Sequence, residues 1–537
     1  MSFILRVSFI VFSFFLFCSP VYTQVAFTSS NLPIVVLTTN GQWIPDAPKI
    51  IANMGIIWNS SGQRNSLKDP MNNYNGKIGI EIRGSSSQMF PKKSYGLETR
   101  SGDGASLDVS LLGMPEENDW ILYAPYTDKS MIRDVFSYTL DASFGRYSPR
   151  CRYVELVLNG SYEGVYVLME KIKRDKNRVD VAKLTVIDNA GENLTGGYII
   201  KIDKTTGSGG EGWYSDYSNI AGSTYYQYDY PGQDVLTTTQ KAYIQTYVRT
   251  MEKSLYLEKY TGTENYHEFL NDSSCIDFMI INELAKNVDG YRLSSYLFKD
   301  KNGLLNCGPI WDFNLTYGNV NYCNGWMTND FEYNVDLGGD FWQNPFWWKK
   351  LLKDLTYVTK LKRRWAMLRK KELSDLRINF VTDSLINLIS EAQVRNYQRW
   401  PILGTYVWPN YFIGANYTSE LNWMKDWIKK RLVFLDQQWP YNFTETIGQL
   451  AANSYTIFPN PFHEKLTIQL SPTISGDALA EIFSTDGSLI QKQRISIVNG
   501  QINLGFSEMN SLIPGLYMVR ITRNDQILLT EKVMKIN

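Results

Sequence analysis

The spacing of apolar residues changes twice along this 537-residue chain, and that constrains the fold more than any other feature of the sequence. Before about residue 236, short β-rich runs are bounded by turn residues, as in KIGIEI at 77–82. From there to Pro440, apolar residues recur every three to four positions, as in CIDFMIINELAKNV. Beyond Pro440, apolar and polar residues alternate as they do in β-strands. The sequence predicts an α+β body, β-rich first and helical second, followed by a small antiparallel β-sandwich.

The composition excludes several functional classes. Basic and acidic side chains number 54 each, so no net charge favours a nucleic acid or a membrane surface as partner. The chain has two histidines, His267 and His463. A zinc site built on histidine and a Ser-His-Asp triad are therefore close to excluded, because each needs a positioned imidazole.

The first residues have the pattern of a secretory signal peptide. Arg6 precedes an apolar run over residues 7–17, which is too short to span a bilayer. Small side chains before Gln24 favour cleavage there, which makes residues 1–23 the signal peptide. No other stretch reaches ~18 apolar residues. We expect an exported protein without a transmembrane segment after signal removal.

Four of the five cysteines lie beyond the predicted cleavage point, and none forms a CxxC pair, so a thiolate zinc cluster has no support. Cys307 and Cys323 are 16 residues apart. An oxidising destination motivates the hypothesis that these two form a disulfide, which would stabilise the fold by about 3 kcal/mol. Free buried thiols are the alternative.

Two polar segments of the β-rich half lie at the ends of predicted strands. Residues 80–98 place Arg83 and Lys93 on either side of a loop of small residues, which could direct backbone N–H groups and two cations towards phosphates. The loop matches neither GxGxxG nor a Walker A motif, and a solvated hairpin is the alternative. Residues 168–180 place Glu170 at the end of an apolar strand, before a charged run typical of a solvated surface.

Two further segments place an aspartate beside apolar residues. Asp289 follows an apolar helix in NELAKNVDGYRLSSYLFKD, and Asp312 lies within the run WDF of GPIWDFNLTYGN. A buried acid needs a partner, because unpaired burial costs several kcal/mol. That partner could be a cation such as Lys286 or Arg292. It could equally be a divalent metal held by two carboxylates, as in magnesium–nucleotide sites.

Together, these segments resemble the spore-coat CotH family of atypical protein kinases. The matching segments, spread over residues 30–440, are RGSSSQ…PKKSY, LMEKIKRDKNRVD, GGYIIKID, NVDGYRLSSY and GPIWDFNLTYGN. The resemblance implies a distorted protein-kinase-like fold over residues 24–440. It also implies that this domain binds ATP with Mg²⁺ and transfers the γ-phosphoryl group to Ser or Thr of a protein substrate.

The resemblance also implies roles for individual residues. Lys93 and Arg83 would contact the nucleotide, and Glu170 would pair with the lysine and orient it. Asp289 would be the catalytic-loop aspartate. Asp312 would bind the metal, since it stands next to Phe as the aspartate of a DFG motif does.

Two positions depart from the family pattern. The family often has WDFD, whereas this chain ends the motif with Asn314, whose amide oxygen can still coordinate a metal but brings no charge. Many members have an Asn shortly after the catalytic Asp, where this chain has Ser294 and Ser295. A weakly active or inactive surface protein for adhesion or ligand binding is therefore the alternative to an active kinase.

The last part of the chain, residues 455–537, resembles the type A C-terminal sorting domain of type IX secretion. The matching residues are FPNPF at 458–462, PGLYMVRI at 514–521 and KVMK at 532–535. The resemblance implies passage through an outer membrane, by the type IX machinery, to the cell surface or the medium. Residues 441–454 are the predicted linker. A generic carbohydrate-binding β-sandwich is the alternative.

Overall fold

The computed structural model describes residues 25–441 and 455–536, except 61, 206–209, 218–223, 485–488, 506–511 and 524–525. The predicted signal peptide, and the predicted linker beyond its first residue, lie outside the described residues. The chain divides into two compact units, residues 1–440 and 441–537. Within the parts described, no helix is long and apolar enough to cross a membrane.

The first half of the larger unit contains a closed seven-stranded barrel. The strands of this half are β1 (Ser29–Ser30), β2 (Ile34–Thr38), β3 (Ile50–Ile57), β4 (Asn65–Ser66), β5 (Tyr74–Arg83), β6 (Ser94–Arg100), β7 (Asp119–Tyr123), β8 (Cys151–Leu158) and β9 (Ser161–Glu170). The order around the barrel is β2-β3-β5-β6-β7-β9-β8, and neighbours are antiparallel except β2 and β8. β1 and β4 pair with each other.

The hairpin predicted around Asn159-Gly160 is confirmed. These two residues connect β8 to β9, and both have positive φ, 50° for Asn159 and 79° for Gly160. That combination is the one a type I′ turn requires, and Asn and Gly adopt it at low cost. The turn pairs Leu158 with Ser161, and the register of the two strands shifts between Leu156 and Val157.

A second sheet has five antiparallel strands in the order β11-β12-β10-β13-β14. They are β10 (Tyr198–Ile202), β11 (Gly212–Tyr214), β12 (Tyr225–Tyr230), β13 (Ser295–Lys299) and β14 (Leu305–Cys307). The helices of this unit are α1 (Arg133–Ser143), α2 (Gly191–Leu194), α3 (Thr238–Tyr256), α4 (Asp272–Ala285), α5 (Trp347–Leu351), α6 (Leu355–Arg369), α7 (Asp375–Ile389), α8 (Ala392–Arg399) and α9 (Tyr417–Gln438).

Helix α4 is the central helix in the helical half of the larger unit. Its N-terminus is capped by the side chain of Asn271, which accepts from the N–H groups of Ser273 and Ser274. From Ser274 to Ala285 every residue is buried. The helix stops at Lys286, which adopts the left-handed conformation with φ 46°. The chain turns there and carries Asp289 into the following loop.

Strand β9 joins the two cores of this unit. Tyr166 and Leu168 belong to the barrel core, whereas Val165, Val167 and Met169 belong to the larger core of the helices and the five-stranded sheet. Successive side chains of a strand point to opposite faces, so one strand contributes to both cores. The barrel and the helical half are thereby packed into one body.

The smaller unit contains two antiparallel sheets. β15 (Thr456–Phe458), β16 (Leu466–Gln469) and β19 (Gln501–Leu504) form one, and β17 (Gly476–Phe483), β18 (Leu489–Ile497), β20 (Gly515–Arg523) and β21 (Gln526–Lys535) form the other. Buried residues of both sheets, such as Ile468 and Val519, belong to one core. The predicted α+β class, with a β-rich first half and a β-structured C-terminus, is confirmed.

The predicted disulfide between Cys307 and Cys323 is wrong, since the structure does not bond these two residues to each other. Cys307 is the last residue of β14, and its Sγ lies 2.7 Å from Sγ of Cys275 on α4. Because β14 runs along the start of α4, Cys307 faces that helix, which sequence spacing alone does not reveal.

Candidate active site

A cleft of about 450 Å³ lies between the barrel and the five-stranded sheet. Residues of β5, β6 and β7 line its barrel side. The end of β10 and the segments 289–296 and 311–315 contribute the opposite side, and α1 contributes two side chains. The cleft is therefore built where the two halves of the body meet.

Ionisable side chains of both signs line this cleft. The acids are Asp46, Glu81, Asp119, Asp134, Asp203, Asp289 and Asp312, and the cations are Lys49, Arg83, Lys171, Lys201 and Lys204. The basic groups can bind an anionic ligand, and the carboxylates can hold a cation beside that ligand. The lining thus combines the two kinds of group that a metal-bound polyphosphate needs.

The backbone around Asp312 is held in an uncommon conformation. Asp312 has φ 61°, in the left-handed region that non-glycine residues rarely adopt. Its N–H donates to the hydroxyl of Tyr138 at 3.1 Å, and the next N–H, of Phe313, donates to Oδ1 of Asp134 at 2.7 Å. Asp134 and Tyr138 are one helical turn apart on α1. This helix therefore fixes the direction in which Asp312 enters the cleft.

The Asp312 carboxylate is exposed to the cleft yet surrounded by protein atoms. Burial among those atoms, and next the negative charge of Asp289, raise its pKa to about 6. Asp203 also raises it, whereas Arg83 and Lys204 act in the opposite direction. Within the described residues Asp312 forms no ion pair. The site holds an acid that would gain from a nearby cation.

Asp289 does have a cationic partner. Its Oδ1 accepts from Nη2 of Arg292 at 2.9 Å, and Nη1 of the same guanidinium lies 2.6 Å from Oδ2 of Asp340. Burial raises the pKa of Asp289, and the charge of Arg292 partly offsets that. Lys286, the other cation considered, instead donates to the carbonyl of Asn329 at 2.8 Å.

A family model described as CotH kinase protein matches residues 80–435, which include most of the cleft-lining residues. The chain belongs to this family. A second model, described as a secretion system C-terminal sorting domain, matches residues 456–536 and indicates type IX secretion to the cell surface or out of the cell. The recognition of both domains from the sequence is confirmed.

Other comparisons add little. No curated protein matches the chain. A solved structure, the Pseudomonas fluorescens alkylpurine DNA glycosylase AlkC bound to DNA containing an abasic site analog, is 13% identical, with 55% of this chain and 76% of that chain covered. Its TM-score is 0.11, and at that value the likeness supports no conclusion.

The structure places four of the six expected site residues of the CotH domain in the cleft. They are Arg83, Asp289, Asp312 and Asn314. Arg83 also lies over the ring of Trp311, with 5.6 Å between its Cζ and the ring centroid. Residues far apart in the sequence are thus brought to one cavity.

Lys93 and Glu170 do not line the cleft, and the implied pairing of the two is wrong. Nζ of Lys93 donates to the carbonyl of Gln88 at 2.5 Å. The buried Glu170 accepts from Nη1 of Arg150 at 2.9 Å and from the hydroxyl of Tyr147 at 3.1 Å. Its charge is therefore compensated away from the cleft.

The alternation of side chains along β9 explains the position of Glu170. Met169 and Lys171 line the cleft, so Glu170 between them points the other way. A sequence motif identifies residue types but does not show to which face of an extended segment each side chain points.

Sequence reasoning missed several cleft residues. Lys201, Asp203 and Lys204 line the cleft, and they belong to the GGYIIKID segment or follow it directly. The sequence feature that could have identified them is a group of charged residues at the end of an apolar strand. Asp134 and Tyr138 lie four residues apart on α1, a spacing that puts two polar side chains on one helix face. Their meeting with the Asp312 backbone depends on tertiary packing.

Within the described parts of the chain, no group of three or more His, Cys, Asp or Glu side chains is arranged as a metal cage. Burial raises the pKa of Asp203 as well, and the nearby Lys201 lowers it. The cleft therefore offers separate carboxylates rather than a complete protein coordination shell.

Proposed function

We propose that the CotH domain is a secreted ATP-dependent protein kinase that transfers the γ-phosphoryl group to Ser or Thr of surface or secreted proteins, with Mg²⁺ as cofactor. One observation carries the proposal. Asp312 enters a cleft lined with both basic and acidic groups and forms no ion pair among the described residues. Phosphoryl transfer needs positioning and charge neutralisation, and such a cleft can supply both without a histidine.

The residues fit a bound nucleotide and metal. Mg²⁺ commonly uses one or two carboxylates together with phosphates and waters, so the absence of a protein cage in the described residues agrees with this mode of binding. Asp312 and Asn314 would hold the ion, which neutralises charge on the phosphates when bound. Burial and neighbouring acids raise the pKa of Asp312 because they disfavour its charged form. A bound cation would stabilise that charged form.

The remaining groups divide into two roles. Arg83, Lys201 and Lys204 line the cleft and would bind the phosphates as cations. Asp289 would orient the acceptor hydroxyl and take its proton. Its hydrogen bond with Arg292 holds the carboxylate in a fixed direction, which suits a group that positions a substrate.

The architecture supports the finer interpretation of the fold as well. A β-barrel half and a helical half with a cleft between them suit a distorted protein-kinase-like body. In the tail, two antiparallel sheets that share one core suit a β-sandwich.

The direct test is transfer of label from ATP labelled on the γ-phosphate, with Mg²⁺, to the protein itself or to added protein. We expect incorporation with the wild type and none with Asp312→Ala. Asp426→Ala is the matched control, because Asp426 is exposed on α9 and pairs with Lys430 of the same helix. Equal incorporation in Asp312→Ala would overturn the assignment.

A second candidate function rests on the departures at Asn314 and Ser294. Loss of a carboxylate at a metal-binding position lowers the charge available to the ion. A protein that binds ligands at the surface without turnover would then show magnesium-dependent nucleotide binding but no transfer of label.

A further inference from the structure

We propose that Cys275 and Cys307 form a disulfide bond in the exported protein. The two Sγ atoms lie 2.7 Å apart, close to the bonded distance of about 2.05 Å. The tail indicates secretion, and exported proteins fold in compartments where disulfides persist. This inference does not depend on the activity proposed for the cleft.

The surrounding backbone holds the two cysteines together. Asn271, the cap of α4, donates its N–H to the carbonyl of Leu305 at 2.9 Å. Ser274 then accepts from the N–H of Cys307 through its Oγ at 3.0 Å. Two hydrogen bonds therefore fasten the start of α4 to β14, and the sulfur atoms meet because of this attachment.

The other thiols are placed differently. Sγ of Cys151 lies 3.5 Å from the carbonyl of Pro149, and Cys323 is a partly exposed thiol. A metal shared by Cys275 and Cys307 has no support either, since the described residues contain no third ligand of the usual kinds beside them. A covalent pair is the chemistry that the geometry favours.

The oxidation balances in electrons and atoms. The S–H bond of each thiol is broken and one S–S bond forms, which releases two protons and two electrons. Both electrons pass to the disulfide of an exchange partner, which is reduced to two thiols and takes up the two protons. The partner is a protein or small-molecule disulfide of the oxidising compartment.

The burial of Cys275 and Cys307 determines at which stage the disulfide can form. Cys275 is 0% exposed and Cys307 is 3% exposed, and burial raises the pKa of the Cys307 thiol well above its usual value. Little thiolate is then available for exchange in the folded protein. We expect the bond to form during folding, before the core closes, and to resist reductants afterwards.

The bond would constrain the part of the body that carries Asp289. The loop it closes runs from residue 275 to 307 and includes the end of α4, the Asp289 loop and the β13–β14 hairpin. Asp312 follows five residues later. The crosslink would keep both aspartate segments anchored to α4.

The test is peptide mapping of the full chain secreted by its host. The protein is unfolded without reductant, its free thiols are alkylated, and the digest is examined by mass spectrometry. We expect a linked peptide pair containing Cys275 and Cys307 that separates on reduction, and alkylated Cys151 and Cys323. Alkylation of Cys275 and Cys307 without reduction, or linkage of Cys307 to Cys323, would overturn the proposal.

Thermal unfolding gives a second, independent measurement. When the wild type is unfolded and refolded in the presence of reductant, which gives the reductant access to the buried bond, its Tm should fall by several degrees. Cys151→Ser and Cys323→Ser should keep that reductant-dependent shift, whereas Cys275→Ser and Cys307→Ser should lose it. A wild-type Tm that reductant leaves unchanged would contradict the bond. Mapping of the wild type decides the question even if a variant does not fold.

Discussion

Asp312 combines a left-handed backbone with a carboxylate that forms no ion pair among the described residues, and its N–H and that of Phe313 donate hydrogen bonds to side chains of α1. Strained backbone of this kind costs of order 1–3 kcal/mol and persists where the surrounding structure enforces it. Here Tyr138 and Asp134 accept the N–H groups of Asp312 and its neighbour. The arrangement fixes the acid in the absence of a ligand, as its proposed role in metal binding requires.

Asp312 and Asp289 should differ when each is replaced by alanine. Asp312→Ala should weaken magnesium-dependent ATP binding by tenfold or more and abolish transfer, because it removes the proposed metal ligand. Asp289→Ala should abolish transfer while ATP binding changes little. Titration calorimetry with ATP and Mg²⁺, beside the transfer assay, separates the two effects.

The stability of the ligand-free variants provides the control. Neighbouring acids disfavour the charge of Asp312, so Asp312→Asn, which removes the charge and keeps a residue that tolerates the left-handed backbone, should leave the free energy of unfolding unchanged or slightly higher. Asp289→Ala should cost little, because Arg292 keeps its contact with Asp340. If each acid instead neutralised a buried cation, each loss would be about 3–5 kcal/mol. Such losses in both variants, without ATP binding in the wild type, would refute the catalytic assignment.

Glu252 on α3 should make stability depend on pH. Burial raises its pKa from 4.5 to about 7, although Tyr226 and Ser215 donate hydrogen bonds to the carboxylate. A raised folded-state pKa contributes stability that is complete below pH 4.5 and lost as pH rises through about 7.

The matched variant is Glu252→Gln, which cannot ionise. Between pH 5 and 8, its free energy of unfolding should rise relative to the wild type by about 3 kcal/mol at most. Denaturant unfolding at the two pH values measures this difference. A constant difference between variant and wild type would show that Glu252 does not titrate in this range.

At the scale of elements, the sequence predicted types and order well. The strand over 77–82, the Asn159-Gly160 hairpin and the apolar helix before Asp289 all form, because periodicity and turn chemistry act locally. Arg83 and Asp289 are recognisable as polar residues at the ends of apolar segments, and Asp312 as an acid within the apolar run WDF. The structure places Lys93 and Glu170 outside the cleft lining, because the direction of a side chain depends on backbone geometry that residue type does not specify.

Arg83 lines the cleft and Lys93 does not, so the two side chains should differ in their effect on ATP binding. Arg83→Ala should weaken ATP binding, because this side chain lines the cleft. Lys93→Ala, the matched control from the same β5–β6 connection, should leave the Kd for ATP within about twofold, since its Nζ donates to Gln88. A larger loss in Lys93→Ala than in Arg83→Ala would restore the role that the family resemblance implied for the lysine.

At the scale of the whole molecule, the body and the tail have separate cores. Deletion of residues 455–537 should therefore leave the body folded, with an unchanged Tm, while secretion is blocked before the cell surface. Cell fractionation and thermal unfolding of the truncated protein measure the two outcomes. Normal surface delivery of the truncated chain would contradict the sorting role, and an unfolded body would show that the tail packs into the main core.

The proposed activity of the cleft is transfer of the terminal phosphoryl group of ATP to protein. The most direct measurement compares parallel reactions with ATP labelled on the γ-phosphate and ATP labelled on the α-phosphate, each with Mg²⁺ and with the secreted wild-type protein. We expect that only the γ label becomes attached to protein, and that Asp312→Ala removes it. Attachment of the α label would instead show nucleotide transfer, and absence of both labels despite magnesium-dependent ATP binding would contradict the kinase assignment.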